Sequence, residues 1–294
     1  MRRPEPECWT MSLEDVHRLH LADLAAYGGM FTAAGPSLGS GRAFVGGPRA
    51  AMAMWKPADE SSAYNALIGF EAAPDPDAAW AEGLAAARAG GALVFGVGLV
   101  EERYSWGSPE QLAAHGLELE YEELVWVRPL GAGDPDLATA SGETSAQGRA
   151  LWPTRNLEIV TEGVDPGVLA AILNRGWEAP PDHGRGPLYA AALGLPGWTH
   201  YVALVDGEPA GAGALFLGHG VALFMVVATD PAYRGRGVQR ALIVRRMADA
   251  RAAGCTLAAA ETVDDNASPR NFQRAGFRSV HRRRMYRTEI ATRP

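Results

Sequence analysis

Two periods of apolar residues run through the second half of the chain. "VALFMVVATD" (221–230) is apolar almost throughout, the pattern of a strand buried on both faces. From Gly237 to Ala253 the spacing changes: Ala241, Val244, Ala248 and Ala252 recur at three and four, which predicts a helix that Gly254 ends. "LEIVT" (157–161) reads as a short strand, and "DPGVLAAILNRGW" (165–177) as a helix with Asp165 at its cap and Pro166 in its first turn. "HYVALVDGEPAGAGALFLG" predicts a hairpin turning at Asp206-Gly207. "CTLAAAE" (255–261) is another buried strand, "SPRNFQRAG" a short helix and "RRRMYRTEI" a closing strand. This order predicts an α/β sheet with helices packed on it.

The first half echoes that order. "AYNALIGF" (63–70) reads as a strand, "DPDAAWAEGLAAARAGG" as a helix and "ALVFGVG" as a strand; "SPEQLAAHG" is a short helix before the strand "LEYEELVWVRP". "QLAAHGLELEYEELVWVR" and "NFQRAGFRSVHRRRMYR" share the series helix, glycine, apolar residue, strand, as an internal duplication would leave it. Between the halves, 131–153 has the Gly, Ala, Ser, Thr, Asp and Pro content of a linker. The expected division is a domain over 1–130, a linker over 131–153 and a second domain over 154–294.

Composition narrows the function classes. The 294 residues leave room for one large or two ordinary domains. Lys56 is the only lysine among 27 basic residues, a bias that suits a GC-rich genome better than any chemistry. A net charge of −7 disfavours a nucleic-acid surface and leaves room for a small cationic substrate. Cys8 and Cys255 stand far apart without a CxxC pair, so a zinc site or disulfide framework is not expected, and a reduced, cytoplasmic protein is the simpler reading. "MRRPEPECWTM" has no apolar h-region behind it, and no window approaches the ~18 apolar residues of a membrane helix.

The chemistry concentrates in "DPAYRGRGVQRAL" (230–242), where the apolar strand gives way to the helix. Unpaired N–H groups at a helix N-terminus, the helix dipole and close backbone approach at Gly235 and Gly237 make an anion site. Arg234, Arg236 and Arg240 can add charge-assisted hydrogen bonds. The segment lacks Gly-Lys-Ser/Thr, and a GxGxxG reading fails at Arg240; "GVGLVE" (96–101) matches only the first two glycines. A turn that merely caps the helix is the plainer alternative.

The strand, this loop, the helix, the next strand and "NFQRAGF" together resemble the acyl-CoA-binding half of the GNAT N-acyltransferase superfamily. In its loop pattern, Gln/Arg-x-x-Gly-x-Gly/Ala, Arg234 and Gly237 match the first and fourth positions, while Gln239 departs at the sixth. The resemblance covers about 155–290 and only echoes over 1–130. It implies two tandem GNAT-like mixed-sheet domains, the second complete and the first degenerate, without a counterpart of "YRGRGVQ".

The resemblance also implies roles. The pyrophosphate of acetyl-CoA, or another acyl-CoA, would take N–H bonds from Arg234, Gly235, Arg236, Gly237, Val238, Gln239 and Arg240. The pantetheine arm would add to the strand at Val226, Val227 and Ala228 and face Asn271. Asn266 is a second candidate, or simply starts its helix. An amine of a small molecule or peptide would attack the thioester, its proton passing to a base, with a backbone N–H stabilising the oxyanion. Glu261 is the expected base, or a strand-end residue bonding its neighbouring loop; His200 is the second choice. His219 and Asp230 read as turn residues, and Cys255 as a small hydrophobe. Many family members carry a tyrosine four residues before the final glycine to protonate the thiolate; Phe272 stands there, so Tyr286 or water would have to substitute, or the chain is a non-catalytic acyl-CoA-binding module. No metal is expected. The glycine-rich 31–48 has no adjoining helix with a basic start, so phosphate binding there is unsupported. The first half would wall the acceptor site, with Trp55, Tyr64, Trp80, Tyr104 and Trp106 as wall or as core. No motif encodes the acceptor or the oligomeric state.

Overall fold

The computed structural model describes residues 11–45, 51–56, 61–70, 73–100, 106–131, 156–181, 183–263 and 268–290. The expected linker, apart from Gly131, lies outside them, as do Cys8, Tyr104 and Asn266. The first half runs α1 (Leu13–Leu38), β1 (Gly41–Val45), β2 (Ala51–Trp55), β3 (Ala66–Ile68), α2 (Pro76–Ala89), β4 (Val94–Leu99), α3 (Pro109–Ala114) and β5 (Glu118–Pro129). The second runs β6 (Leu157–Val160), α4 (Pro166–Gly176), α5 (Arg185–Ala190), β7 (Trp198–Val205), β8 (Glu208–Gly218) and β9 (Val221–Thr229). It continues through α6 (Val238–Ala252), β10 (Leu257–Val263), α7 (Ser268–Arg274) and β11 (Arg278–Glu289).

Local chemistry sets these boundaries. Asp75 and Asp165 accept the N–H of Ala78 and Val168, each with proline in the first turn, so Asp-Pro opens both α2 and α4. Ser108 and Gln111 form a reciprocal capping box on α3. Asp206 and Gly207 both have positive φ, as the two-residue hairpin turn between β7 and β8 requires.

The strands form one mixed sheet in the order β1-β2-β3-β4-β11-β5-β10-β9-β8-β7-β6. Its two parallel pairs, β3 with β4 and β9 with β10, are linked through α2 and α6. The series β3-α2-β4-α3-β5 thus recurs as β9-α6-β10-α7-β11, the architecture of two GNAT-like halves. The halves trade their last strands. β11 pairs with β4 of the first half, β5 pairs with β10 of the second, and β5 and β11 pair with each other at the centre. "LEYEELVWVRP" and "RRRMYRTEI" are therefore strands, as their patterns predict, but each completes the other half's sheet.

α1 departs furthest from expectation. Residues 31–38 of the glycine-rich segment end this helix, which stops at Gly39 in the left-handed region, and 41–45 form β1. Of "AYNALIGF", only Ala66–Ile68 is strand; Ser62–Tyr64 make a single 3-10 turn. α1 spans both halves, packing on β1, β2, β8, β9 and α5. Arg18 fastens it there, donating to the carbonyls of His219 (2.9 Å) and Gly220 (2.8 Å) and to Thr256 Oγ1 (2.8 Å).

Among the described residues, three large buried clusters hold the layers together, beside a small one of Ala241 and Val244. α1, α4 and α5 cover one region with Met30, Phe31, Ile172, Leu173 and Leu188. Leu242, Ile243 and Met247 of α6 meet Phe224, Phe272 and Phe277. α2 packs Trp80 against Leu67, Phe95 and Val97. Strand alternation is visible in β2, where Met52 and Met54 join the α1 cluster and Ala51 and Ala53 join the α2 cluster.

Candidate active site

β9 and β10 pair from Val221 with Leu257 to Phe224 with Ala260, and then part. Beyond that point Met225, Val226 and Val227 on one side and Glu261, Thr262 and Val263 on the other line an open cleft of about 590 Å³. β9 stays paired to β8 as far as Thr229, with a register shift between Ala214 and Phe216 that bulges β9 where the cleft begins. Arg246 of α6, fully buried, supports this irregularity from beneath. Its Nη1 donates to the carbonyls of Ala214 and Val226, each at 3.1 Å, and its guanidinium lies 4.6 Å from the Phe224 ring centre. Burial lowers its pKa to about 9, so the guanidinium remains a cation at neutral pH.

The glycine-arginine loop stands at the start of α6. Gly235 and Gly237 both have positive φ, and Gly237 caps the helix with no side-chain hydrogen bond to the N-terminal N–H groups. The neighbouring charges brace the loop. Arg234 donates to Glu178 Oε1 (2.5 Å) and to the Gly176 carbonyl (2.9 Å), and Arg175 pairs with Asp230 at 2.7 Å. Arg175 draws the Asp230 carboxyl below its usual range. Gly176 permits this closeness: a Cβ there would lie 2.6 Å from that of Ala228. The Arg236 guanidinium lies 5.2 Å from the Tyr233 ring centre. Gln239, the departure from the family pattern, bridges helices: its Nε2 donates to Ser268 Oγ (2.8 Å) and its Oε1 accepts from Asn271 Nδ2 (2.5 Å). Asn271 therefore faces α6, and of α7 it is Ser268 and Phe272 that line the cleft.

Glu261 occupies the wall shared by the cleft and a second cavity between the two halves, of about 130 Å³. It pairs with Arg283 of β11, and Tyr27 of α1 donates to its Oε2 at 3.4 Å. Arg283 Nη1 also lies 3.7 Å from Glu123 Oε2 of β5. Burial works against the Arg283 charge, but Glu261, Glu123 and Asp23 outweigh it and raise its pKa. Burial pushes Tyr27, Tyr121 and Tyr189 up, with Glu261 adding to each, so these hydroxyls keep their protons. Tyr64 lines the same cleft and donates to Tyr189 Oη at 3.2 Å.

Two expected catalytic residues lie elsewhere. His200 is 3% exposed, stacks on Trp198 and bonds the Tyr189 carbonyl at 3.1 Å through Nε2; burial lowers its pKa and keeps it neutral. Tyr286 pairs with Val97 and Leu119 in the α2 cluster, because β11 has crossed into the first half. Neither lines the cleft. Phe272 does, held edge-to-face against Phe224 and Phe277. Trp80 and Trp106 are core, tilted against each other in the α2 cluster, with Trp106 Nε1 donating to Asp77 at 2.7 Å; Trp55 packs against the same cluster. His219 occupies the β8–β9 turn with positive φ, and Cys255 is a buried free thiol. Asp23, Tyr27, Tyr121, Glu123, Tyr189 and Arg283 were not singled out by sequence, although Tyr121-Glu123-Val125 and His281-Arg283-Met285 alternate as one strand face should.

Residues 169–277, from α4 to the end of α7, match the acetyltransferase (GNAT) family. The second half carries a GNAT domain. The match covers the loop, the parting strands and the helix with Asn271. The fold of the whole chain is that of tandem GNAT proteins. A GCN5-related N-acetyltransferase from Kribbella flavida is similar at TM-score 0.61 and 16% identity, covering 96% of this chain and 98% of its own. A tandem GNAT protein from the clavulanic acid biosynthesis pathway gives 0.57 and 16%, covering 96% and 97%. A GCN5-related N-acetyltransferase from Sphaerobacter thermophilus gives 0.55 and 17%, covering 82% and 81%. No curated protein sequence matches the chain. Among the described residues no group of three His, Cys, Asp or Glu could hold a metal ion beside the GNAT domain, and no helix is long and apolar enough to cross a membrane.

Proposed function

We propose that the chain is an acyl-CoA-dependent N-acyltransferase that moves an acetyl group from acetyl-CoA to a primary amine of a small molecule or peptide. The observation that carries the reading is the continuity of three features: the uncapped start of α6, the parted strands β9 and β10, and Glu261 on the wall shared with the interhalf cavity. Backbone N–H groups of Arg234 through Arg240 would hold the pyrophosphate. The pantetheine arm would lie along Val226, Val227 and Ala228 as an added strand. Arg234 would act through its backbone, since its guanidinium braces α4.

In the reaction the amine lone pair attacks the thioester carbon, a backbone N–H of β9 stabilises the oxyanion, and the C–S bond breaks to release the CoA thiolate. The amine proton passes to Glu261, directly or through water. The thiolate, with a pKa near ~8.5 like a free thiol, leaves with little help, so Phe272 does not stop the reaction. The 154–294 half would supply the donor site. The 1–130 half would contribute Tyr27, Tyr64, Tyr121 and Glu123 to the acceptor wall.

Phe272 favours one rival, a non-catalytic acyl-CoA-binding module. Calorimetric titration of acetyl-CoA into wild type and Gly237→Glu protein, followed by thiol release with a panel of amines, separates the two. The transferase reading expects binding that Gly237→Glu abolishes and amine-dependent thiol release. Binding without release across the panel favours the module. Absence of binding to folded wild type removes both.

A further inference from the structure

The cavity between the halves holds more carboxylates than guanidinium groups. Asp23 of α1, Glu123 of β5 and Glu261 of β10 all line it, together with Arg283 of β11. Arg283 is shared by Glu261 and Glu123. Asp23 is left over: it is 9% exposed, it lines the cavity, and among the described residues its carboxylate accepts no hydrogen bond. Arg283 attracts it only at a distance; a buried carboxylate that accepts no hydrogen bond is costly, and a ligand that supplied one would recover that cost. The rest of the wall is largely apolar, with Leu19, Met54, Leu67 and Met285.

We propose that this cavity is the acceptor site and that it selects an amine carrying a second cationic group, with Glu261 at the reacting nitrogen and Asp23 at the other. The inference rests on the transferase reading and narrows its substrate class. Three carboxylates against one guanidinium leave two negative charges, which a diamine with an apolar spacer would match. An amine bearing a carboxylate would add negative charge to a cavity that already keeps its own carboxyls protonated, and be rejected. Only the nitrogen at Glu261 gives up a proton for attack; the other stays protonated as the anchor.

The empty cavity meets the excess charge by holding protons. Burial first, then Glu261 and Glu123, push the Asp23 pKa to about 8 against the opposing pull of Arg283. Burial and Glu261 push Glu123 to about 7, again against Arg283. Tyr27, Tyr121, His20 and His281 face the same space from α1, β5 and β11. A bound dication favours the ionised carboxylate, so its binding near neutral pH should release protons.

The test is calorimetric titration of diaminobutane, n-butylamine and γ-aminobutyrate into wild type and Asp23→Asn, with and without CoA. Diaminobutane is expected to bind wild type at least ~30-fold more tightly than butylamine, and Asp23→Asn to erase the difference. Wild-type binding in buffers of different ionisation enthalpy should show proton release, a readout independent of how the variant folds. Equal affinity for diaminobutane and butylamine, a preference that survives in folded Asp23→Asn, or equally tight γ-aminobutyrate would overturn the inference. Thiol release separates the two levels. Butylamine turned over as readily as diaminobutane keeps the transferase and sinks the selectivity. Asp23-dependent diaminobutane binding with no thiol release from any amine sinks the transferase.

Discussion

Asp23 and Glu123 hold their protons in a place where the unfolded chain would have lost them. Their folded pKa values, about 8 and about 7, lie above the ordinary 3.8 and 4.5. The folded state therefore binds more protons than the unfolded one between those limits, and this contribution to stability, complete below about pH 4, is lost as pH rises toward 8. Thermal melts should show Tm falling across this range, and Asp23→Asn should flatten the fall and be the more stable protein at pH 8. A wild-type Tm that rises steadily over the same range would contradict the burial argument. Glu261→Gln should lower kcat by about 10²–10⁴ in a thiol-release assay, while Tyr286→Phe, in the α2 cluster, should leave kcat unchanged. These opposite expectations trace to what one strand of sequence can express. The place of Glu261 on the cleft wall was legible because it ends an apolar run beside the loop's own strand. The misplaced Tyr286 looked equally near in sequence, but its strand crosses to the other half. Asp23 and Tyr27 belong to α1, whose sequence holds Gly28-Gly29 and Gly35-Pro36, residues of low helix propensity.

Two helix starts, α2 and α6, occupy equivalent places in the repeated series but are built with opposite chemistry. Gly237 leaves the start of α6 without a side-chain cap, whereas the Asp75 carboxylate accepts the Ala78 N–H at 3.0 Å on α2. An anion already sits where a phosphate would need to be. Equilibrium titration should accordingly give one acetyl-CoA per chain, and a second site of similar affinity would refute this account of the first half. α6 also carries Arg246, whose two sheet carbonyls would lose their donor in Arg246→Met. Urea denaturation should show a loss of roughly 2–6 kcal/mol, since each of the two buried acceptors left unpaired costs about 1–3 kcal/mol. Most of these elements could be read from the sequence: Asp-Pro at two helix starts, Asp206-Gly207 at the hairpin, and the apolar run of β9. Pairing could not, because period-two alternation places a residue on a face of a strand and says nothing of which strand lies beside it.

Seen whole, the molecule has two sequence halves and one sheet. Each half lends the other a twelve-residue strand, β5 or β11, and α1 lies across both. A fragment of residues 154–294 would present β10 without β5, exposing an unpaired edge beside the cleft. Expressed alone it should aggregate or self-associate on a sizing column, whereas co-expression with 1–153 should restore a stable pair that elutes with the intact chain. A monomeric, acetyl-CoA-binding fragment would show that the exchange is dispensable.

The exchange also bears on how the protein emerges from the ribosome. β11, the last described strand in chain order, is the direct neighbour of β4, so the first half leaves the exit tunnel with a vacancy in its sheet that β11 later fills. Domains that close on themselves can fold as they are made. Here the nascent first half must wait, and a chaperone that shields sheet edges has its natural moment of engagement between the synthesis of β5 and that of β11.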